Sequence, residues 1–227
     1  MFKKETTRTL TACFLVIECV LYYFVLTSGG VTFTVTAYGG IVLCFLFALL
    51  TGIKTAPLIV AGLAFTVCAD YCLVVCSPIE QLWGMVFFLG AQTLYAVKLH
   101  LEQKSRVLLW IRLTLIAVIE IVAIVILREN LDALAVVSVC YYANLIMNIV
   151  AAFFQWHKSK LLPIGLILFI LCDTVIGLQV AAGGYLPIPE GSALHNFLFM
   201  DFNLSWFFYL PSQVLIALSS LPKGDVQ

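Results

Sequence analysis

The stretch LLPIGLILFILCDTVIGLQVA, residues 161–181, decides the class of fold. Asp173 is its only Asp, Glu, Lys, Arg or His residue. A helix needs about 20 mostly apolar residues to cross the hydrocarbon core of a bilayer. A stretch of this length and composition therefore predicts a membrane-spanning helix with one carboxyl group inside it.

The rest of the chain has the same character. Of its 227 residues, 63% are hydrophobic and 11% are charged, and the mean hydropathy is +1.10. Apolar runs between charged residues, glycines and prolines predict eight such helices, near 9–28, 31–52, 56–76, 82–99, 107–127, 131–154, 161–181 and 200–221. We therefore expect an all-α, polytopic membrane bundle of eight transmembrane helices, in a single integral membrane domain over residues 1–227.

The positive charges predict the orientation, because short loops rich in Lys and Arg stay in the cytoplasm. With the N-terminus inside, only Arg128 lies outside. The cytoplasmic set is Lys3, Lys4, Arg8, Lys54, Lys98, Lys104, Arg106, Arg112, Lys158, Lys160 and Lys223. An odd number of helices would scatter these residues over both faces, so we expect both termini to be cytoplasmic. The net charge is zero, which gives no indication of a nucleic-acid partner.

The two halves of the sequence resemble each other. FLVIECV around Glu18 matches IAVIEIV around Glu120, and GLAFTVCAD ending at Asp70 matches GLILFILCD ending at Asp173. Glu18 precedes Asp70 by 52 positions, and Glu120 precedes Asp173 by 53. These matches predict an internal repeat of four helices.

The predicted repeats cover about residues 1–104 and 105–227. Near their ends, FLGAQTLYA around Gln92 matches YLPSQVLIA around Gln213. Because four helices bring the chain back to the same face, both copies cross the membrane in the same direction, related by an axis along its normal. At 1.5 Å per residue, both aspartates then lie roughly 18–21 Å from the cytoplasmic starts of their helices, deep in a core of about 30 Å.

Four carboxyl groups, of Glu18, Asp70, Glu120 and Asp173, fall inside predicted helices, where ionisable residues are typical of pathways, relays and catalytic sites. No Lys or Arg is expected within the membrane to neutralise them, so some must be protonated or hydrogen-bonded. Asp70 and Asp173 are the candidate functional pair. The alternative is that they form neutral hydrogen bonds between helices. For Glu18 and Glu120, which are possible supporting residues, both interpretations stay open.

Polar side chains accompany the aspartates at helical spacing. They are Gln92 and Tyr95 on the fourth helix, Tyr141, Asn144 and Asn148 on the sixth, and Ser205, Tyr209 and Gln213 on the eighth. Such amides and phenols can position water or a substrate oxygen, or they can hydrogen-bond between helices. Lys54, at the start of the third helix, is a candidate for binding a lipid phosphate or for anchoring the helix end at the interface.

The cysteines and the longest external connection give weaker indications. All eight cysteines fall in apolar helices and are expected to pack as small hydrophobic residues. Cys68, Cys72 and Cys76 form a row at four-residue spacing that would suit a soft metal, but packing explains it, and we expect no metal and no cofactor. The external connection 182–199, with Tyr185, Pro187, Pro189, Gly191 and His195, is a candidate lid.

Six segments carry a resemblance to a known family. They are KTAPL (54–58), LAFTVCADYCLVV (63–75), FFLGAQTLYA (87–96), YANLIMNIVAAF (142–153), LILFILCDTVIGL (166–178) and YLPSQVLIALS (209–219). In this order they resemble the YhhN family of lysoplasmalogenase-type membrane proteins over nearly the whole chain. Three positions depart from the expected pattern: Gln92 replaces a histidine, Ala69 a glycine and Cys172 a serine.

The resemblance implies an enzyme that hydrolyses the vinyl-ether bond of lysoplasmalogens to a fatty aldehyde and a glycerophospho-base. Cleavage of an enol ether begins with protonation of its β-carbon and needs one protonated and one ionised carboxyl. Asp70 and Asp173 would divide these roles, with acid and base unassigned. Water and the ether oxygen would be positioned by Gln92, Tyr95, Tyr141, Asn144, Asn148, Tyr209 and Gln213. Glutamine cannot transfer a proton, so Gln92 can only position.

The expected partners are a lysophospholipid substrate and membrane lipids, and the expected location is the plasma membrane of a bacterium. A transporter or a lipid-binding protein built on the same repeat is the alternative, because carriers also place carboxylates near the bilayer midplane between repeats. Carriers of this kind use interrupted helices, whereas the third and seventh helices show no Pro or Gly near their aspartates except Gly177.

Overall fold

The computed structural model describes residues 4–127, 132–182 and 188–222, and these residues form nine α-helices and no strand. The helices are α1 (Lys4–Thr27), α2 (Gly30–Gly52), α3 (Pro57–Asp70), α4 (Gln81–Gln103), α5 (Arg106–Leu127), α6 (Ala133–Phe153), α7 (Leu161–Ala182), α8 (Ala193–Leu198) and α9 (Leu204–Leu218). The predicted all-α class is confirmed.

Six helical segments among the described residues are long and apolar enough to cross a membrane: α1, α2, α3 together with the turn that follows it (Pro57–Val75), α4, α6 and α7. This indicates an integral membrane protein. Helix α5 has 22 residues, and α9 is a shorter apolar helix of 15 residues. Eight membrane crossings and cytoplasmic termini therefore stay predictions. Lys3, Arg128 and Lys223, which enter the orientation argument, lie outside the described residues.

Side-chain caps and prolines fix several helix starts. The Oδ1 atom of Asp132 accepts a hydrogen bond from the Ala135 amide at 2.7 Å, which caps α6. Pro57 begins α3, where its missing N–H costs nothing. The short helix α8 was not predicted. Its cap is Ser192, which accepts from the amide of His195, so part of the external connection is helical.

Helix α3 changes geometry at the aspartate. Asp70 is its last α-helical residue, and Tyr71–Val75 continue as a π-helical turn. The sequence predicted a regular helix over 56–76. The wider π-helical turn is frequent at functional sites because it redirects side chains. Asp70 therefore lies at a local irregularity of the helix, and no Pro or Gly in the sequence predicts that irregularity.

The helices of the two halves pack in matching pairs. Helix α3 packs on α4 and α7 packs on α9, while α4 packs on α6 and α9 packs on α2. Helices α1 and α5 lie at the periphery, with many exposed apolar side chains, as suits contact with lipid. These pairs are the ones that a four-plus-four duplication would produce, but the repeat itself stays a prediction.

Gly62 permits the close packing of α3 on α4. A methyl group at this position would overlap the ring of Tyr95. Gly62→Ala is expected to lower the free energy of unfolding by about 1–3 kcal/mol, because overpacking forces neighbouring side chains to move. The measurement is the thermal midpoint of the purified protein in detergent. Gly39→Ala, which meets open space on α2, is the control, and equal midpoints for the two variants would contradict the prediction.

Candidate functional site: a pair of buried carboxyl groups

Asp70 lies in the interior of the bundle. Its side chain is only 2% exposed, and its Oδ2 atom accepts a hydrogen bond of 2.5 Å from the hydroxyl of Tyr209. Tyr209 is on α9, where it is itself buried. The bond therefore joins α3 to α9, the two helices on which the sequence placed these residues as a candidate acid or base and a positioning group.

Asp173 has a matching partner on another helix. Its Oδ2 atom accepts a hydrogen bond from the hydroxyl of Tyr141 on α6. The next residue, Thr174, shares a second hydrogen bond of 2.9 Å with the hydroxyl of Tyr142. Unlike Asp70, Asp173 is only half-buried. Two consecutive tyrosines thus fix α6 against α7, and Asp173 is less enclosed than Asp70.

Two phenylalanines bring the tyrosine–aspartate pairs into one cluster. The ring centroid of Phe88 lies 5.8 Å from that of Tyr141 and 6.2 Å from that of Tyr209. Phe169 lies 6.3 Å and 5.3 Å from the same two rings, and 5.5 Å from Phe88. Phe88 and Phe169 therefore form an aromatic floor, on which the rings of both tyrosines pack. Each tyrosine hydroxyl bonds one carboxyl group.

Both carboxyl groups keep one oxygen available. Tyr209 and Tyr141 each bond an Oδ2 atom, and neither Oδ1 atom makes a hydrogen bond to another described residue. A carboxyl fixed through one oxygen can offer the other to water or to a substrate. The aligned tyrosine bonds also restrict how each carboxyl can rotate.

A second polar layer lies one turn beyond Phe88 on α4 and two turns beyond Tyr141 on α6. Gln92 and Asn148 are completely buried there. The Nδ2 group of Asn148 donates to the side-chain Oε1 and to the backbone oxygen of Gln92, both at 2.8 Å. Gln92, predicted to position water, is therefore itself held in place by α6. Its Nε2 group has no partner among the described residues, which leaves a donor inside the bundle.

Arg112 completes this layer and corrects the sequence analysis. It was counted among the cytoplasmic cations, and no Lys or Arg was expected within the membrane. It lies in the second turn of α5, is 8% exposed, and donates from Nη2 to the Oδ1 of Asn148. The expectation of an interior without Lys or Arg was wrong, because the guanidinium of Arg112 reaches inward to an amide rather than outward to water.

The hydrogen-bonded series Arg112–Asn148–Gln92 is expected to stabilise the fold. Asn148→Leu removes the acceptor of a buried cation and is expected to cost about 1.5–3 kcal/mol of unfolding free energy, as for hydrogen bonds to charged groups. The double variant Arg112→Leu, Asn148→Leu should be more stable than Asn148→Leu alone, because no buried charge is left unpaired. Thermal midpoints in detergent measure both.

The matched control is Asn144→Leu, one turn from Asn148 on the same helix. Among the described residues, the Asn144 side chain makes only a long hydrogen bond of 3.4 Å to Thr93. A midpoint for Asn144→Leu as low as that for Asn148→Leu, or a double variant less stable than the single one, would show that the pairing with Arg112 has no special weight.

The other predicted positioning residues are buried near the cluster without bonding the aspartates. The Tyr95 hydroxyl has no hydrogen-bond partner among the described residues. Gln213 donates to the adjacent Ser212 at 3.2 Å, and its Oε1 atom has no partner among the described residues. Ser205 is buried at the start of α9. The unpaired atoms of Tyr95, Gln92 and Gln213 are polar groups that water or a ligand can satisfy.

Three predicted supporting residues lie apart from the aspartate pair. Glu18 is buried on α1, where its Oε1 atom accepts from the Cys44 thiol at 3.4 Å. Glu120 is half-buried on α5, and its Oε1 atom has no hydrogen-bond partner in the part of the chain that the structure describes. Lys54 is exposed in the turn between α2 and α3. None of them hydrogen-bonds Asp70 or Asp173, so direct support of the pair by these residues is not seen.

Sequence reasoning missed the aromatic floor and the buried arginine. Phe88 precedes Gln92 by four residues, and Phe169 precedes Asp173 by four, so each lies one turn from a predicted site residue on the same helical face. That spacing was a usable signal. For Arg112 the signal was its position six residues inside α5, between apolar neighbours.

No group of three or more His, Cys, Asp and Glu side chains that could hold a metal ion is found among residues 4–127, 132–182 and 188–222. Cys68 is exposed, and Cys72 and Cys76 are partly exposed free thiols. Of the candidate lid, Tyr185 and Pro187 lie outside the described residues, and His195 is in α8.

Fold and site together define a helical membrane protein whose interior holds two tyrosine-bound carboxyl groups. The sequence matches the family model of the YhhN family over residues 39–220, a range that contains both aspartates and their tyrosines. The chain therefore belongs to the YhhN family. No curated protein and no solved structure matches it.

Proposed function

We propose that the protein is a lysoplasmalogenase-like hydrolase that cleaves the vinyl-ether bond of lysoplasmalogens to a fatty aldehyde and a glycerophospho-base. One observation carries the proposal: Asp70 and Asp173, on different helices, are each fixed by a tyrosine over a shared aromatic floor. Membership of the YhhN family, which is associated with this type of reaction, supports it.

The reaction needs a proton donor and a proton acceptor together. One carboxyl gives its proton to the β-carbon of the enol ether, which becomes an oxocarbenium ion. The ionised carboxyl then takes a proton from the attacking water, so that a hemiacetal forms. The first carboxyl, now ionised, then takes the hydroxyl proton of the hemiacetal while the second gives its proton to the departing glycerol oxygen, so the aldehyde and the glycerol hydroxyl form and both carboxyls return to their original protonation states. Asp70 and Asp173 would fill these two roles by general acid and base catalysis.

The partial exposure of Asp173 suits a lipid substrate. Asp70 is enclosed, whereas Asp173 is half-buried and lies on α7 between exposed apolar residues such as Leu171 and Ile176. A single-chain lipid could reach this face from the bilayer with its chain in an apolar setting. Gln92, Tyr95 and Gln213 offer water polar atoms that have no hydrogen-bond partner within residues 4–127, 132–182 and 188–222. The proposed setting is a bacterial plasma membrane.

The test is to incubate the purified protein in detergent with lysoplasmenylethanolamine and to quantify the fatty aldehyde. The control substrate is the saturated alkyl-ether lysolipid with the same head group and chain length, which cannot form the oxocarbenium ion by protonation. The proposal expects aldehyde from the vinyl ether alone. No aldehyde from the vinyl ether would overturn it.

A carrier for lipids or small molecules is the second candidate, and the π-helical turn after Asp70 favours it. Transporters place interrupted helices at their binding sites, and α9 also contains an internal proline, Pro211. Proteoliposomes separate the two candidates. Movement of a fluorescent lysolipid across the bilayer without aldehyde release would support the carrier, and aldehyde release without movement would support the hydrolase.

A further inference from the structure

A large cavity opens at the end of the bundle opposite the aspartate pair. Its volume is about 1040 Å³. It lies where α3 and α7 begin and where α4, α6 and α9 end, which is the side that the charge distribution predicts to be cytoplasmic. Leu162, which lines it, precedes Asp173 by 11 residues on α7. That is roughly 16 Å along the helix axis, so this cavity is a separate site.

The charged lining of the cavity is mainly positive. Lys98, Lys158 and Lys160 line it with one carboxylate, that of Glu102. Lys98 forms a 3.0 Å ion pair with Glu102, and Lys158 donates to the backbone oxygen of Glu102 at 3.3 Å. Lys160 makes no ion pair within the described ranges. Two lysine charges therefore remain without a neutralising carboxylate.

The start of α7 adds to this positive character. Its first residues, Leu161 and Leu162, line the cavity. The first backbone N–H groups of a helix lack partners within that helix, and the helix dipole favours an anion at this end. Ser159, just before α7, also lines the cavity. Three kinds of donor therefore line the cavity: the lysine ammonium groups, the Ser159 hydroxyl and the first backbone N–H groups of α7. Phosphate oxygens accept hydrogen bonds from all of these.

The remaining lining is apolar. Leu99, Trp156, Pro163 and Leu221 face the same space. Its volume far exceeds that of a single phosphate ion and leaves room for a glycerol backbone and the beginning of an acyl chain. We propose that this cavity binds a glycerophosphate group, supplied by an anionic phospholipid head group or by a soluble glycerophosphate.

The proposed site does not depend on the hydrolase. Phosphate and vinyl ether in one lysophospholipid are joined only by the glycerol backbone. A head group bound in the cavity therefore leaves the vinyl ether of the same molecule far from Asp70 and Asp173. The cavity thus holds a second molecule, and its occupancy can be measured without any aldehyde assay.

The test compares the unmodified protein with the double variant Lys158→Gln, Lys160→Gln. The control is Lys104→Gln, an exposed lysine that is not among the lining residues of the cavity. Each protein is exchanged into nanodiscs of phosphatidylcholine with phosphatidylglycerol, and retained lipid is counted by native mass spectrometry. In parallel, binding of glycerol 3-phosphate is measured by calorimetry in detergent.

The unmodified protein should retain phosphatidylglycerol or bind glycerol 3-phosphate. Loss of both lysines should weaken that binding by roughly tenfold or more, since each lysine near an anionic lipid contributes to its attraction. Lys104→Gln should bind normally. Retention of lipid without glycerol 3-phosphate binding assigns the ligand to the membrane, and the reverse assigns it to solution.

Absence of both ligands from the unmodified protein, or equal binding by the double variant, would overturn the proposal. If Lys104→Gln weakened binding as much as the double variant, the binding would reflect general attraction to surface charge, and this result would also overturn the proposal. Asp70→Asn should bind normally, so failure of the hydrolase proposal and failure of this one give different results.

Discussion

Asp70→Asn and Asp173→Asn are each expected to lower aldehyde release from a lysoplasmalogen by about 10²–10⁴-fold, the usual contribution of a general acid or base. Asparagine keeps the size of the side chain and an oxygen that can accept the tyrosine hydrogen bond, so the fold should persist. What it lacks is the transferable proton. Initial rates of aldehyde formation at saturating substrate measure the loss.

The control is Asp201→Asn, the same change at an exposed aspartate between α8 and α9. Thermal midpoints should be equal for all three variants within a few degrees, so that lost activity reports on chemistry. Full activity in either site variant would remove that aspartate from the mechanism. Equal loss in Asp201→Asn would mean that the assay reports on protein quality instead.

Tyr209→Phe and Tyr141→Phe carry the second largest expected effect. Each removes the hydroxyl that holds one carboxyl and preserves the ring against Phe88 and Phe169. A hydrogen bond contributes about 0.5–1.5 kcal/mol to a neutral group and about 1.5–3 kcal/mol to a charged one, so we expect roughly a 2- to 100-fold lower turnover, with the larger loss at the tyrosine of the ionised carboxyl. The double variant should lose more than either single variant.

A split between kinetic constants distinguishes positioning from mere packing. If the tyrosines orient the carboxyl groups, turnover falls and KM changes little. Tyr23→Phe is the control, because Tyr23 is 63% exposed on α1. Unchanged turnover in both site variants would show that the hydroxyl bonds do not serve the reaction, even if the aspartates do.

Much of the fold could be predicted because lipid allows few choices. Backbone groups in a bilayer must bond within the segment, so long apolar runs become helices. The long helices begin and end within about five residues of the predicted bounds, as α2 (Gly30–Gly52) and α7 (Leu161–Ala182) illustrate. The π-helical turn at Tyr71–Val75 could not be predicted, since it depends on how α3 packs among its neighbours and not on a Pro or Gly.

The pairing of side chains in the site was only partly predictable. Helical spacing placed Tyr141 and Tyr209 on inward faces, but it did not say which aspartate each would bind. The repeat gave no help here, because the counterpart of Tyr209, four residues before the matching glutamine, is Phe88. Asp70 therefore receives its hydroxyl from the other half of the chain, and Asp173 receives one from its own half.

The contact between Arg112 and Asn148 could not be predicted from the sequence for a different reason. Composition treats Arg112 as one more positive residue near a helix end, and only the packing of α5 on α6 shows that its guanidinium meets Asn148 inside the bundle. A long side chain can turn toward water or toward a buried amide. Sequence spacing does not distinguish these two directions.

The central claim is that the aspartate pair delivers a proton to carbon. The most direct measurement is the reaction in D₂O, with the released aldehyde reduced at once to its alcohol and examined by mass spectrometry. Protonation of the enol-ether β-carbon predicts one solvent deuterium at carbon 2 with the unmodified protein, and almost no product with Asp70→Asn or Asp173→Asn. Aldehyde without deuterium at carbon 2, or labelled aldehyde released equally by both variants, would contradict the claim.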